Sequence, residues 1–287
     1  MRSPAATTRR SSGATRPGRL RPAARAIVAS RAMWFTLGTV AGVIGALSLT
    51  AYVATKQVRG PQTIVVATDG SAPFTTIGAA VASGRPGDVV RVEPGVYREH
   101  VVLHDGPDLS ARVPGSVTIL HAGDPAVAAL SLSGPNVRVT GIRIDSEGPA
   151  DAAIRINAPS ATLDLVEIAG QFRRAIDLSP ASALTLRGGR IAIPGTLLTL
   201  ADDGHATFVN SVLVQTGTTA GPAVSSNPLA HLVLRGNVFA GFNAEVISGV
   251  SPARRAELLA GNIVVPAERP APARRGTTRP RASEGDR

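Results

Sequence analysis

The chain has 287 residues, with 30 Lys and Arg against 20 Asp and Glu, a formal net charge of +10, 3% aromatic residues and no cysteine. The lack of cysteine excludes a thiol enzyme, a Cys-ligated metal protein and a disulfide framework. The charge does not point to nucleic acid, because it lies at the ends: residues 1–59 hold ten basic and no acidic side chains, residues 266–287 six basic and three acidic, and residues 60–265 14 basic and 17 acidic.

Residues 1–31 are rich in Arg, Ser, Thr, Ala and Pro and lack the apolar content for a core, so they are expected to be disordered. Residues 33–53 form an uncharged run of 21, long enough as a helix to cross a bilayer core of about 30 Å, and set the expected transmembrane element at 32–55. Trp34 and Tyr52 stand near its two ends. Eight arginines precede it, and only Lys56 and Arg59 follow closely, so the positive-inside rule places the N-terminus in the cytoplasm and the remainder outside. The rivals are a cleaved signal peptide and a buried core helix. Gly38 and Gly42 have the spacing of a helix-pairing face.

After this run comes FTTIGAAVASGRPGD. Thr75 or Thr76 is the expected N-cap, Ile77, Ala80 and Val81 make an apolar face, Gly84 stops the helix and Pro86-Gly87 turns the chain. From Asp88 onward, short apolar segments alternate with Gly, Pro, Asn and Asp turns. Eight of them, VVRV (89–92), VTIL (117–120), VRVTGIRI (137–144), TLDLVEI (162–168), LTLRGGRIAI (184–193), ATFVNSVLV (206–214), LVLRGNVF (232–239) and ELLAGNIVV (257–265), give inward anchors at Val92, Ile119, Val139, Leu165, Leu186, Phe208, Leu234 and Leu259, spaced 20 to 27 residues apart. Gly141, Gly188, Asn210, Gly236 and Gly261 recur two positions after an anchor, where a bend needs a permissive backbone. Segments 128–132, 152–156, 174–178, 196–200 and 244–247 supply a second face.

This period and strand content predict an all-β fold, a right-handed single-stranded parallel β-helix of about eight coils over 60–265, with a short N-terminal capping helix and a disordered Pro/Arg-rich tail at 266–287. A leucine-rich horseshoe would want a strict LxxLxLxxN. An antiparallel sandwich leaves the recurring Gly/Asn offset unexplained.

The stretch 63–103, TIVVATDGSAPFTTIGAAVASGRPGDVVRVEPGVYREHVVL, resembles the opening of pectinesterases and their non-catalytic relatives in the pectin-lyase-like superfamily. Asp69, Gly70, Ser71, Phe74, Thr75, Thr76 and Ile77 match its first part, and Gly95, Tyr97 and Glu99 its second. The resemblance implies a β-helix. The residues read by themselves agree: Phe74 is expected to pack under the helix, Gly95 to turn the chain after the first strand, Tyr97 to cover the join and Glu99 to pair with Arg98 or Arg91. Pectinesterases use two Asp, an Arg and Gln residues presented from neighbouring coils; the motifs that carry them are missing here, so no catalytic residue transfers.

Other chemistry has thin support in the sequence. Asp202 and Asp203 adjoin in a turn beside His205, and Asp177 lies one coil earlier with Arg173 and Arg174 nearby. Asp177, Asp202, Asp203, His205 and Arg174 are therefore the candidates for a carboxylate-pair hydrolase or a calcium-assisted lyase; the competing reading is a solvated turn and a solvated arginine pair. His205 and His231 share an offset and are expected to stack across coils, but no third ligand makes them a metal site, and no cofactor is expected. Low aromatic content limits ring stacking on sugars, leaving a groove of polar side chains. The leading expectation is a single-pass, N-in protein whose extracytoplasmic β-helix binds, senses or scaffolds at the cell envelope, toward polysaccharide or protein. The alternative is a divergent carbohydrate-active enzyme. A third reading, the outer half of a signalling protein, meets no kinase in residues 1–31.

Overall fold

The computed structural model describes residues 60–104, 106–217, 221–242 and 246–266. The expected membrane span at 32–55, the disordered segment at 1–31 and most of the C-terminal tail lie outside them. Among the described residues no helix is long and apolar enough to cross a membrane.

Successive short strands return to the same three faces and pair in parallel, giving a right-handed β-solenoid of about eight coils. Sheet 1 stacks Thr63–Val66, Val89–Val92, Asp108–Ala111, Val137–Thr140, Ala161–Asp164, Ala183–Arg187, His205–Val209 and His231–Arg235. Sheet 2 runs from Val101–Leu103 through Leu130–Leu132, Ala150–Ile156, Phe172–Leu178, Thr196–Leu200 and Val224–Ser226 to Ile247–Ser248. Sheet 3 runs from Gly95–Tyr97 through Val117–His121, Ile142–Ser146, Glu167–Ala169, Arg190–Ile193, Val212–Gln215 and Val238–Phe242 to Ile263–Pro266.

Alternation places every second residue in the lumen. Val139, Leu163, Leu186, Phe208 and Leu234 are in register down sheet 1, and all are buried. This row carries four of the expected anchors, and the other four lie off it. Val92 is buried in sheet 1 but one inward place along, because Val90 and Leu109 lead to Val139. Ile119 is buried but belongs to sheet 3. Leu165 is 49% exposed, and Leu163 takes the inward place. Leu259 ends the helix Pro252–Leu259, so segment 257–265 is a helix end and a strand rather than one strand.

The bend between sheets 1 and 3 explains the Leu165 error. Gly141, Gly188, Asn210 and Gly236 all have positive φ there, and Leu165 fills the same place at φ 54. The ladder continues through the bend, where Leu165 N–H donates to the Arg187 carbonyl at 2.9 Å and Asn210 N–H to the Arg235 carbonyl at 3.0 Å. A leucine placed by apolarity alone reads as core; its backbone makes it a corner.

Two helices sit at the ends of the chain's strand region. α1 (Ile77–Ser83) is N-capped by Thr76, whose hydroxyl accepts from Ala79 N–H, and it buries Ile77, Ala80 and Val81. Tyr97 is buried, and its hydroxyl donates to the Glu93 carbonyl at 2.9 Å. Glu99 does not pair with Arg98 or Arg91; its carboxylate accepts from the Ile77 and Gly78 N–H groups at the start of α1. Arg98 instead pairs with Glu147. α2 (Pro252–Leu259), N-capped by Ser251, buries Leu258 beside the last strand of sheet 1.

Candidate functional site

The outer face of sheet 2 gathers charge that its sequence neighbours do not reveal. Parallel register aligns Ser131 with Arg155 and Arg155 with Asp177. Arg155 lies 3.6 Å from both Asp151 and Asp177, and Arg174 bridges the same two carboxylates, with Asp177 at 3.5 Å. Arg173 Nε donates to Asp151 Oδ1 at 2.9 Å. Two carboxylates and three guanidinium groups thus interlock over two adjacent coils.

Asp151 is the hub. Burial of its carboxylate pushes its pKa up, but hydrogen bonds and charge from Arg174 and Arg173 outweigh that and hold it below the ordinary carboxylate value. A carboxylate ionised and engaged in this way is poorly placed to lend or take a proton near neutral pH. Arg173, by contrast, has a side chain 75% exposed, so its guanidinium keeps donors for a ligand.

This cluster borders a groove of about 830 Å³ along the corner between sheets 3 and 2. It is lined across five coils by Pro125, Pro149 and Pro194, by Gln171 and Gln215, and by Asp151 and Arg173. Phe172, fully buried, forms part of the lining. Each coil crosses this corner at the same height, so repetition itself elongates the groove. Gln215 donates to the Pro194 carbonyl at 3.4 Å, one coil earlier.

Comparison with solved structures places this architecture. A pectin methylesterase from carrot superposes with a TM-score of 0.53 at 15% identity, covering 72% of this chain and 68% of that one. The pectin methylesterase from Aspergillus niger superposes at 0.50 with 14% identity, covering 71% and 84%. The fold it shares with them is the right-handed parallel β-helix. At these identities the likeness concerns the fold alone. The chain matches no known family profile and no curated protein sequence.

The β-helix separates the five candidate residues into two groups. Asp177 and Arg174 meet in the sheet 2 cluster; Arg173 and Arg174 are on a strand rather than a loop and bound to Asp151, Arg174 mostly covered and Arg173 still largely in solvent. Asp202 and Asp203 are exposed in the turn that leads into sheet 1, where Asp203 has φ 54 and Gly204 N–H closes the turn on the Ala201 carbonyl at 3.2 Å. His205 follows and stacks on His231, with ring centroids 4.5 Å apart and planes within 6°. Among the described residues no ion pair joins this second group to Asp177 or Arg174, and no cluster of three His, Cys, Asp or Glu is arranged to hold a metal.

Sequence reasoning missed Asp151, Arg155, Gln171 and Gln215. The signal was available only as register arithmetic: Asp177 stands 22 residues after Arg155, one coil in this part of the β-helix.

Proposed function

We propose that the β-helix is a glycan-binding module of the cell envelope, carried outside the membrane by a single N-in span at 33–53, with residues 1–31 cytoplasmic. The observation that carries the binding role is the groove whose one lining carboxylate, Asp151, is locked by arginines while the exposed side chains of Arg173 and Gln171 line the same space. Extended polymers suit such a site, because the groove runs across five successive coils at about 4.8 Å spacing, with the polar side chains of Asp151, Gln171, Arg173 and Thr196 along its middle three. Helix α1 covers the first coil as a cap, which the packing of Ile77, Ala80 and Val81 supports. The uncharged run and the arginine asymmetry around it support the anchor and its orientation.

Co-sedimentation of the full chain with insoluble cell-envelope polysaccharides tests binding: retention that survives in the native chain and falls in Arg173→Ala supports it, and equal retention of both overturns the assignment to this groove. Protease treatment of intact cells tests topology, where digestion of the β-helix is expected and protection overturns it.

One observation favours the enzymatic alternative enough to keep it. Asp151, Gln171 and Gln215 line the groove from neighbouring coils, and Arg174 joins Asp151 to Asp177 beside it, the residue types expected of a carbohydrate esterase. Methanol release from a methyl-esterified polyuronate, lost in Asp151→Asn and Asp177→Asn, would establish that reading in place of simple binding.

A further inference from the structure

A parallel β-helix must close both ends, because the last coil otherwise exposes lumen side chains and a row of free backbone groups. At the C-terminal end α2 stands over sheet 1. Among the described residues no helix packs on the last strands of sheet 3 in the same way. Its last strand, Ile263–Pro266, is exposed at every residue. Val264 continues the lumen row of Ile191, Leu213 and Phe239; those three are fully buried, yet Val264 is 40% exposed. Ile263 at 61% and Val265 at 47% end two outer rows, Val212–Val238–Ile263 and Val214–Ala240–Val265. The outer face of sheet 3 is charged in its earlier coils, through Arg143, Asp145 and Glu167, and aliphatic in its last three.

The occupant of this edge must supply strand hydrogen bonds and aliphatic side chains together, which a polysaccharide does not. Nor does the composition of residues 267–287 suit it. Residues 267–287 contain no Val, Ile, Leu or aromatic residue, and Pro270, Pro272 and Pro280 lack the N–H a strand donates. A strand of the right character is the edge itself, presented rigidly by the β-helix.

We propose that two copies of this chain join tail to tail, Ile263–Val265 of each pairing antiparallel across a two-fold axis at Val264. This inference is independent of the groove and its ligand. The axis runs through sheet 3, so Val264 meets its counterpart, Ile263 lies opposite the partner's Val265, and the two lumens abut. Such an isologous edge closes after two copies and leaves no further strand to recruit. Because α2 stands over sheet 1, the two solenoids meet along sheet 3 and open on the opposite side. Three residues on each copy make a contact far smaller than a stable interface, so the association is weak and concentration-dependent.

The absence of cysteine makes a covalent trap clean. Antiparallel neighbours have Cα atoms about 4.5–5.5 Å apart, within disulfide range. Under mild oxidation the full chain carrying Val264→Cys is expected to run mostly as a disulfide dimer, and the dimer is lost when Val265→Lys is added. Val233→Cys, on the outer face of sheet 1 and 38% exposed, serves as the collision control and is expected to stay monomeric. Equal dimer from both cysteine variants, retention of dimer with Val265→Lys, or a Val264→Cys disulfide to a different protein in cells overturns the proposal. Unchanged far-UV circular dichroism in each variant excludes misfolding as the cause.

Discussion

Glu99 accepts hydrogen bonds from the backbone N–H groups of Ile77 at 2.7 Å and Gly78 at 2.9 Å, reaching back 22 and 21 residues. One carboxylate satisfies two donors that the first turn of a helix leaves unpaired, and its charge favours the positive end of α1. This joins the first coil to the helix packed beside it. Glu99→Ala is expected to cost about 2 kcal/mol of stability, read as a lower urea midpoint with an unchanged slope.

Leu165 holds a left-handed backbone at φ 54, at the same corner where Asn210 sits at φ 52 two coils later. Leucine pays about 1 kcal/mol or more for that conformation, and asparagine tolerates it better. Leu165→Asn is expected to stabilise the protein by about 0.5–1 kcal/mol, and Leu165→Val to destabilise it by at least about 1 kcal/mol, since β-branching aggravates the clash. Thermal or denaturant unfolding of the two variants checks the opposite signs.

Asn237 is fully buried, and its side chain and backbone N–H make four hydrogen bonds to three residues. Its Oδ1 accepts from Ser211 N–H at 3.0 Å, its Nδ2 donates to the Phe208 carbonyl at 2.9 Å and to Asn262 Oδ1, and its own N–H donates to Asn262 Oδ1. Asn237→Ala strands buried groups in two coils and is expected to cost about 2–4 kcal/mol. Hydrogen exchange at the Ser211 amide is the sharpest readout, because that proton loses its only acceptor in the described network.

The folded pKa of Asp151 lies below its ordinary 3.8, where burial raises it and Arg174 and Arg173 lower it further. A depressed folded pKa contributes stability that is present above 3.8 and lost as pH falls through the folded value. Asp151→Asn is therefore expected to flatten the acid limb of stability below about pH 4, with denaturant midpoints compared at pH 3 and pH 7.

Arg173→Ala leaves the Asp151–Arg174 pair in place and removes exposed donors from the groove. Binding of a polysaccharide is expected to weaken about tenfold, the loss of one or two charge-assisted hydrogen bonds. Isothermal titration with a soluble fragment of the retained polymer measures it, with unchanged unfolding as the control.

Much of the fold was legible in the linear pattern because a solenoid repeats locally. Every coil solves the same burial problem with inward Val, Ile, Leu or Phe at alternate positions, and with Gly or Asn at the bend, so Val139, Leu186, Phe208, Leu234 and the corner residues could be read one coil at a time. The α1 segment was equally readable, since Thr76, Ile77, Ala80 and Val81 are neighbours on one short helix. Leu165 was misread because a side chain's polarity does not report its φ. The segment at 257–265 was misread because a helix of eight residues and a strand of four share the same apolar letters.

The groove was not legible, and the reason is register. The length of each loop sets which residues of adjacent coils stand side by side, and only the closed coils placed Asp177 against Arg155 and Asp151 between Arg173 and Arg174. The amino-acid sequence by itself determined the repeat, the lumen and the corners, because those depend on residues a few positions apart. The tertiary structure alone decided the charge cluster, the groove beside it and the open edge at Val264, because those depend on contacts between coils more than 20 residues apart and on where the stack of coils ends.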